Sequence, residues 1–207
     1  NIAIGPDALK GSSTAVNNTG AYNIAFGWGA GYCTAGSNDS IFIGRYAGKT
    51  VTIGHNNIFM GCGAGSNGIV TGKYNIAFGA NTGKEITSGE HNILLGRMAG
   101  DAITTSNSHV AIGCGALSSE DTGTNGAVAI GYEALKLQNG GGCNIAMGCG
   151  AGKSVVTGSS NVFLGWSAGE NNTGDNNVII GATAGDAAGD GSSNVIIGKA
   201  SGGAVTD

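Results

Sequence analysis

Proline is all but missing from this chain: a single residue, Pro6, stands against 42 glycines in 207 positions. Collagen needs Gly at every third place and abundant Pro, so a Gly share of about a fifth without that period excludes it. Charge is scarce as well, at 11% of residues, and a formal charge of −4 supplies no basic stripe for a phosphate backbone. Nucleic acid therefore finds no complementary surface. No run of 18 apolar residues occurs and no charged-then-apolar leader opens the sequence, so neither a helical membrane span nor an export signal is expected. The low hydrophobicity of disordered chains is lacking too, since 41% of residues are apolar. An ordered fold follows. Starting at Asn1 and stopping at Asp207 in mid-pattern, the sequence reads as a segment or a processed product.

What is present is a repeat. A Gly preceded by three apolar residues recurs at Gly5, Gly27, Gly44, Gly61, Gly79, Gly96, Gly113, Gly131, Gly148, Gly165, Gly181 and Gly198. Successive anchors lie 16 to 18 residues apart, except for a first interval of 22. Residues 1–207 thus form one repeat domain of twelve units. A period near 17 is too short for helix pairs or propeller blades, and no helix-length window carries a 3.6-residue apolar period. The pattern predicts an all-β fold, a β-solenoid (β-roll or β-helix) of about twelve coils, each with two short strands and two turns.

Three places before the anchor stands Ile or Val in every unit, and one place before it Ile, Phe, Met or Leu. Two residues apart in a strand, these side chains share a face and are expected to form the core ladder. The residue between them points the other way and is apolar in every unit. That stripe contains Phe42, Phe59, Leu94, Phe163, Ile179 and Ile196 and is expected to meet sister chains, because a strand apolar on both faces is buried on both. Four places before the anchor sits Asn in nine units, suited to turn bonds or an amide ladder, with Ser40, His109 and Ala127 as exceptions. Three places after the anchor comes Ala in ten units, followed by Gly or Leu. Seven places after it, Val51, Ile86, Ile103, Val155 and Val205 share a column, while Ser118 to Asp121 and Asn171 to Gly174 offer nothing apolar. The long first unit is expected to loop out at Ser12 to Asn18.

Units such as Asn23-Ile24-Ala25-Phe26-Gly27-Trp28-Gly29-Ala30-Gly31 and Asn144-Ile145-Ala146-Met147-Gly148-Cys149-Gly150-Ala151-Gly152 resemble the Asn-x-Ala-Ile-Gly-x-x-Ala repeats of bacteriophage tail fibres. They are also similar to the head repeats of trimeric autotransporter adhesins, whose unit is shorter. The resemblance covers the whole chain. It implies a parallel homotrimer in a virion or at a cell surface, with self-association and host attachment as its business. A phage tail fibre shaft or tip is the first expectation; a bacterial adhesin or a self-polymerising extracellular filament is the alternative.

Chemistry finds little footing. Gly150-Ala151-Gly152-Lys153-Ser154 lacks the Gly a phosphate loop needs five places before Gly152, where Met147 stands. Cys62, Cys114 and Cys149 share the column after the anchor but sit coils apart, too far for disulfides. His55, His91 and His109 precede the strand without further ligands, so no metal or other cofactor is expected. No Ser, His and acid combination recurs, and no enzymatic activity is expected. Thr52, Thr87 and Thr104 form too broken a column for an ice-binding array. Asn17, Asn38 and Asn171 open glycosylation sequons. Trp28, Tyr132 and Trp166 follow their anchors and are the candidate contacts for a host glycan, since such rings combine an apolar face with a polar edge. A protein receptor is the other candidate partner.

Overall fold

The computed structural model describes residues 1–11, 19–121, 123–186, 189 and 191–202. Each unit contributes one strand of three residues: β1 (Ile2–Ile4), β2 (Ile24–Phe26), β3 (Ile41–Ile43), β4 (Ile58–Met60), β5 (Ile76–Phe78), β6 (Ile93–Leu95), β7 (Val110–Ile112), β8 (Val128–Ile130), β9 (Ile145–Met147), β10 (Val162–Leu164), β11 (Val178–Ile180) and β12 (Val195–Ile197). The strands pair in parallel and in chain order within one twelve-stranded sheet. Register is column on column, as in Ile24 with Ile41 and Ala25 with Phe42. The chain is therefore a β-solenoid, and at about 4.8 Å per rung the rod is roughly 50 Å long. Among the described residues no helix is long and apolar enough to cross a membrane.

The strands are short because both ends are bent. A residue in the left-handed region stands two places before each of most strands, as at Tyr22 (φ 61°), Asn56 (57°) and Asn176 (58°). At the other end the anchor Gly takes φ between 121° and 142°, a conformation that side chains disfavour. The anchors also stack backbone on backbone: a Cβ on Gly148 would lie 2.3 Å from the Gly165 carbonyl oxygen. Only Gly lets the coils approach at this corner.

The second half of each coil, expected as a second strand, is a run of turns. Its only regular pairings among the described residues are isolated bridges, Val51 with Val70 and Asn107 with Asn125. It nevertheless closes the core, for Val51, Ile86, Ile103 and Val155 are fully buried. The segment expected to loop out, Ser12 to Asn18, and the column member Val205 lie outside the described residues.

The interior is the reverse of the expected one. The middle residue of the strand points inward: Phe42, Phe59, Leu94, Phe163 and Ile179 are fully buried within the single chain, and Ile196 is 7% exposed. These six side chains are core and not a contact between chains. The first and last strand residues face outward. The physical reason lies in the thinness of the coil, whose interior holds the middle strand residue beside the buried residue seven places after the anchor, as Phe42 with Val51, and the small Ala three places after the anchor. Ala30, Ala47, Ala64 and Ala99 fill that place without exposure.

A size rule in the core supports this orientation. Where the middle residue is Phe, the fourth residue after the anchor is Gly, and a Cβ there would strike the ring: 2.2 Å from Phe42 at Gly48 and 2.2 Å from Phe163 at Gly169. Where that fourth residue is Leu, at Leu9, Leu117 and Leu135, the middle residue is Ala, at Ala3, Ala111 and Ala129. The two positions share one space and are never both large. Where both are small, as at Ala25 with Gly31 and Ala146 with Gly152, side chains of the adjacent coils reach in, Leu9 and Phe42 at the first and Leu135 and Phe163 at the second.

The Asn before each strand ties coil to coil. From Asn23 to Asn177 its Oδ1 accepts the backbone N–H of the same place in the next coil, and its Nδ2 donates to a carbonyl 13 to 15 residues on. Asn1, in the long first unit, donates to Gly20 O, and Asn194 Nδ2 is buried without a partner. Asn92 does both, to His109 N–H at 3.0 Å and Ser106 O at 2.9 Å. So does Asn161, with Asn177 N–H at 2.8 Å and Gly174 O at 2.9 Å. Most of these side chains are wholly buried. Unpaired, each would cost on the order of 1–3 kcal/mol. Ser40 is too short for both tasks. It accepts from Asn57 N–H at 3.1 Å, and Ser37 takes over the carbonyl of Gly54 at 2.6 Å.

Candidate functional site

The surface that stands out is the outward face of the sheet. Alternation sends the first and last residue of every strand to solvent, and all of them are Ile, Val, Leu, Met or Phe. Exposure reaches 53% at Phe26, 54% at Phe78 and 71% at Val195. Parallel register stacks these side chains into two unbroken apolar columns along the rod. No charged residue interrupts either column. Isolated apolar residues at a surface are ordinary, whereas a contiguous stripe of this length marks a contact surface. The stripe was legible as an apolar pattern; its assignment to the core was the error, because all three strand residues are apolar and period-two reading cannot choose a face. The size rule between the middle residue and the fourth residue after the anchor was the sequence signal that could have chosen it.

Beside the stripe runs the column after the anchor. Trp28, Tyr132 and Trp166, the candidate glycan contacts, are all about half exposed. They do not converge. Tyr132 and Trp166 are two rungs apart, about 10 Å, and Trp28 lies six rungs from Tyr132. Trp28 instead packs on Tyr46 with centroids 5.2 Å apart, and Arg45 and Lys49 sit over the Tyr46 ring.

Next to Tyr132 is a small charged groove. Glu133 accepts from Lys136 at 2.6 Å and Lys153 at 2.8 Å. The bond from Lys136, seconded by that from Lys153, holds its carboxyl down at about 2. Glu133 and Lys136 line, among others with Arg97, Cys114, Ser118 and Tyr132, a volume of about 170 Å³. That is below the roughly 300–1,000 Å³ of small-molecule sites.

The sequence-level candidates for chemistry stay dispersed. His91 stacks on Tyr74 at 5.0 Å, His55 Nδ1 accepts the Asn38 N–H at 3.0 Å, and His109 is buried. Among the described residues no group of three or more His, Cys, Asp or Glu could hold a metal. The five cysteines are free thiols, with Cys62, Cys143 and Cys149 exposed. Gly150 to Ser154 forms a turn after β9, with no helix behind it. Asn38 and Asn171 are engaged with backbone, at Ala21 N–H and Asp186 O; Asn17 lies outside the described residues. Comparison with protein-family models, with curated proteins and with solved structures yields no match, so the surface itself carries the functional reading.

Proposed function

We propose that this chain is a structural and adhesive segment of an extracellular or virion fibre, in which parallel copies pack through the outward columns of the sheet. The observation that supports it is the unbroken apolar stripe, two residues per strand in all twelve strands, on the face that the solenoid leaves uncovered. Parallel copies in register bring the same columns together along the full rod, which removes the patch from water at each rung. Three copies are the number that the resemblance to tail fibre and adhesin repeats implies, and a phage tail fibre shaft or tip engaged in host attachment is the preferred setting. The proposal assigns no catalytic step: the groove at Tyr132 is small, and the ionisable groups are dispersed.

Light scattering on the intact chain is expected to give the mass of a trimer. Ile76→Asp with Ile145→Asp, which places carboxylates on the outward face, is expected to give monomers that keep their β circular dichroism, since an unpaired charge in a desolvated contact is costly. A monomeric intact chain, or a variant of unchanged mass, overturns the proposal.

A further inference from the structure

His109 occupies the Asn position of the seventh coil and reproduces both bonds of the amide. Its Nδ1 lies 3.1 Å from the Ala127 nitrogen, as Asn92 Oδ1 lies 3.0 Å from that of His109. Its Nε2 lies 3.0 Å from Thr124 O, where Asn92 Nδ2 lies 2.9 Å from Ser106 O. The partners dictate the tautomer. An N–H faces Nδ1 and a carbonyl faces Nε2, so the ring must be neutral with its proton on Nε2. An amide holds this donor and acceptor pattern at any ordinary pH, and an imidazole does not. We propose that His109 is an acid-sensitive rung: protonation of Nδ1 sets two N–H groups against each other and opens the solenoid between its seventh and eighth coils.

The surroundings favour opening there. The next member of the column, Ala127, has no side-chain acceptor, so two successive junctions lack an amide. Beside His109 the core is polar: buried Glu120 accepts from Ser106 and Gln138 at 3.3 Å each, and Thr124 Oγ1 is buried without a hydrogen-bond partner. Coil six presents Asn92 to the residue and coil eight presents Ala127 and Thr124, all uncharged. Glu120, in its own coil, is the charged group that acts on the ring. Its negative charge favours the imidazolium, but burial outweighs it and holds the ring below the ordinary 6.5. The sign follows. Below about 6.5 the unfolded chain takes up a proton that the folded chain refuses, so stability falls with pH until the folded ring titrates too.

The test compares amide exchange at Ala127, Gly131 and Glu133, whose N–H groups donate across the junction to His109 Nδ1, Ile112 O and Cys114 O, in the full-length wild type, His109→Asn and Glu120→Gln, each at pH 7.5 and 5.0. Asn is the native solution at neighbouring rungs, so His109→Asn is expected to fold, and comparison at equal pH cancels intrinsic exchange. The ratio of wild-type to His109→Asn exchange is expected to rise about tenfold or more between pH 7.5 and 5.0, because two donors set face to face forfeit a buried hydrogen bond. Glu120→Gln is expected to keep the acid response. An unchanged ratio overturns the proposal, as does an acid response that survives in His109→Asn and vanishes in Glu120→Gln, which assigns it to the carboxylate. Imidazole nitrogen shifts of the wild type check the tautomer without any substitution: a proton on Nδ1 at pH 7.5 also overturns it.

Discussion

At the residue scale the fold rests on two places where one residue type is needed. The anchor Gly combines positive φ with backbone contact, and these effects can be separated. Gly148 (φ 142°) would set a Cβ 2.3 Å from the Gly165 oxygen, whereas at Gly198 (φ 121°) the nearest atom is Ser201 Oγ at 3.7 Å. Gly198→Ala is expected to cost only backbone strain, about 1–3 kcal/mol, and Gly148→Ala clearly more, because carbonyl and strand must shift apart. Urea unfolding followed by circular dichroism checks the order; equal costs would show that stacking at the corner is looser than the contact implies. The Gly and Asn columns were both readable from repetition alone. The stand-ins were not: that Ser40 needs Ser37, and that His109 copies an amide, depends on which carbonyl lies 14 or 15 residues on in space.

At the scale of the element, the coil is a shared volume filled from alternate sides. Ala129 and Leu135 belong to the same coil, and the size rule predicts that they are coupled. Ala129→Phe is expected to destabilise by about 1–3 kcal/mol through overpacking against Leu135. Leu135→Gly leaves a cavity and a more flexible chain, with an expected cost of about 3–5 kcal/mol. Combined, they recreate the Phe and Gly pair of the third and tenth coils, so the double variant is expected to be more stable than the sum of the single effects by about 1–3 kcal/mol. Additive effects in a double-mutant cycle would refute the shared volume. The strands, their order and their parallel pairing were legible because each unit carries a β-branched residue and a Gly at one spacing. The second strand was not there to be read: its buried residues, among them Thr34, Glu120, Gln138 and Asn172, are held by turns and side-chain bonds. Leu117 and Leu135 supply the apolar bulk that Glu120 and Gln138 do not, which is why a polar column can sit in a closed coil.

At the scale of the whole molecule, the rod has a narrow inside that takes the middle residue of each strand and an outward sheet face that stays apolar along its length. The orientation of the sheet and the covering of its outer face are therefore one question, and the five phenylalanines answer it together. Phe42, Phe59 and Phe163 are fully buried within the chain, while Phe26 and Phe78 stand on the outward columns. Fluorophenylalanine at all five positions gives five fluorine resonances, whose response to a soluble paramagnetic agent reads solvent contact one ring at a time. In the intact assembly all five should be shielded; in the chain carrying Ile76→Asp and Ile145→Asp, Phe26 and Phe78 should become accessible while the other three stay shielded. Accessible Phe26 and Phe78 in the intact protein would mean that nothing covers the stripe, and accessible Phe42, Phe59 or Phe163 in the dissociated chain would mean that the sheet faces the other way.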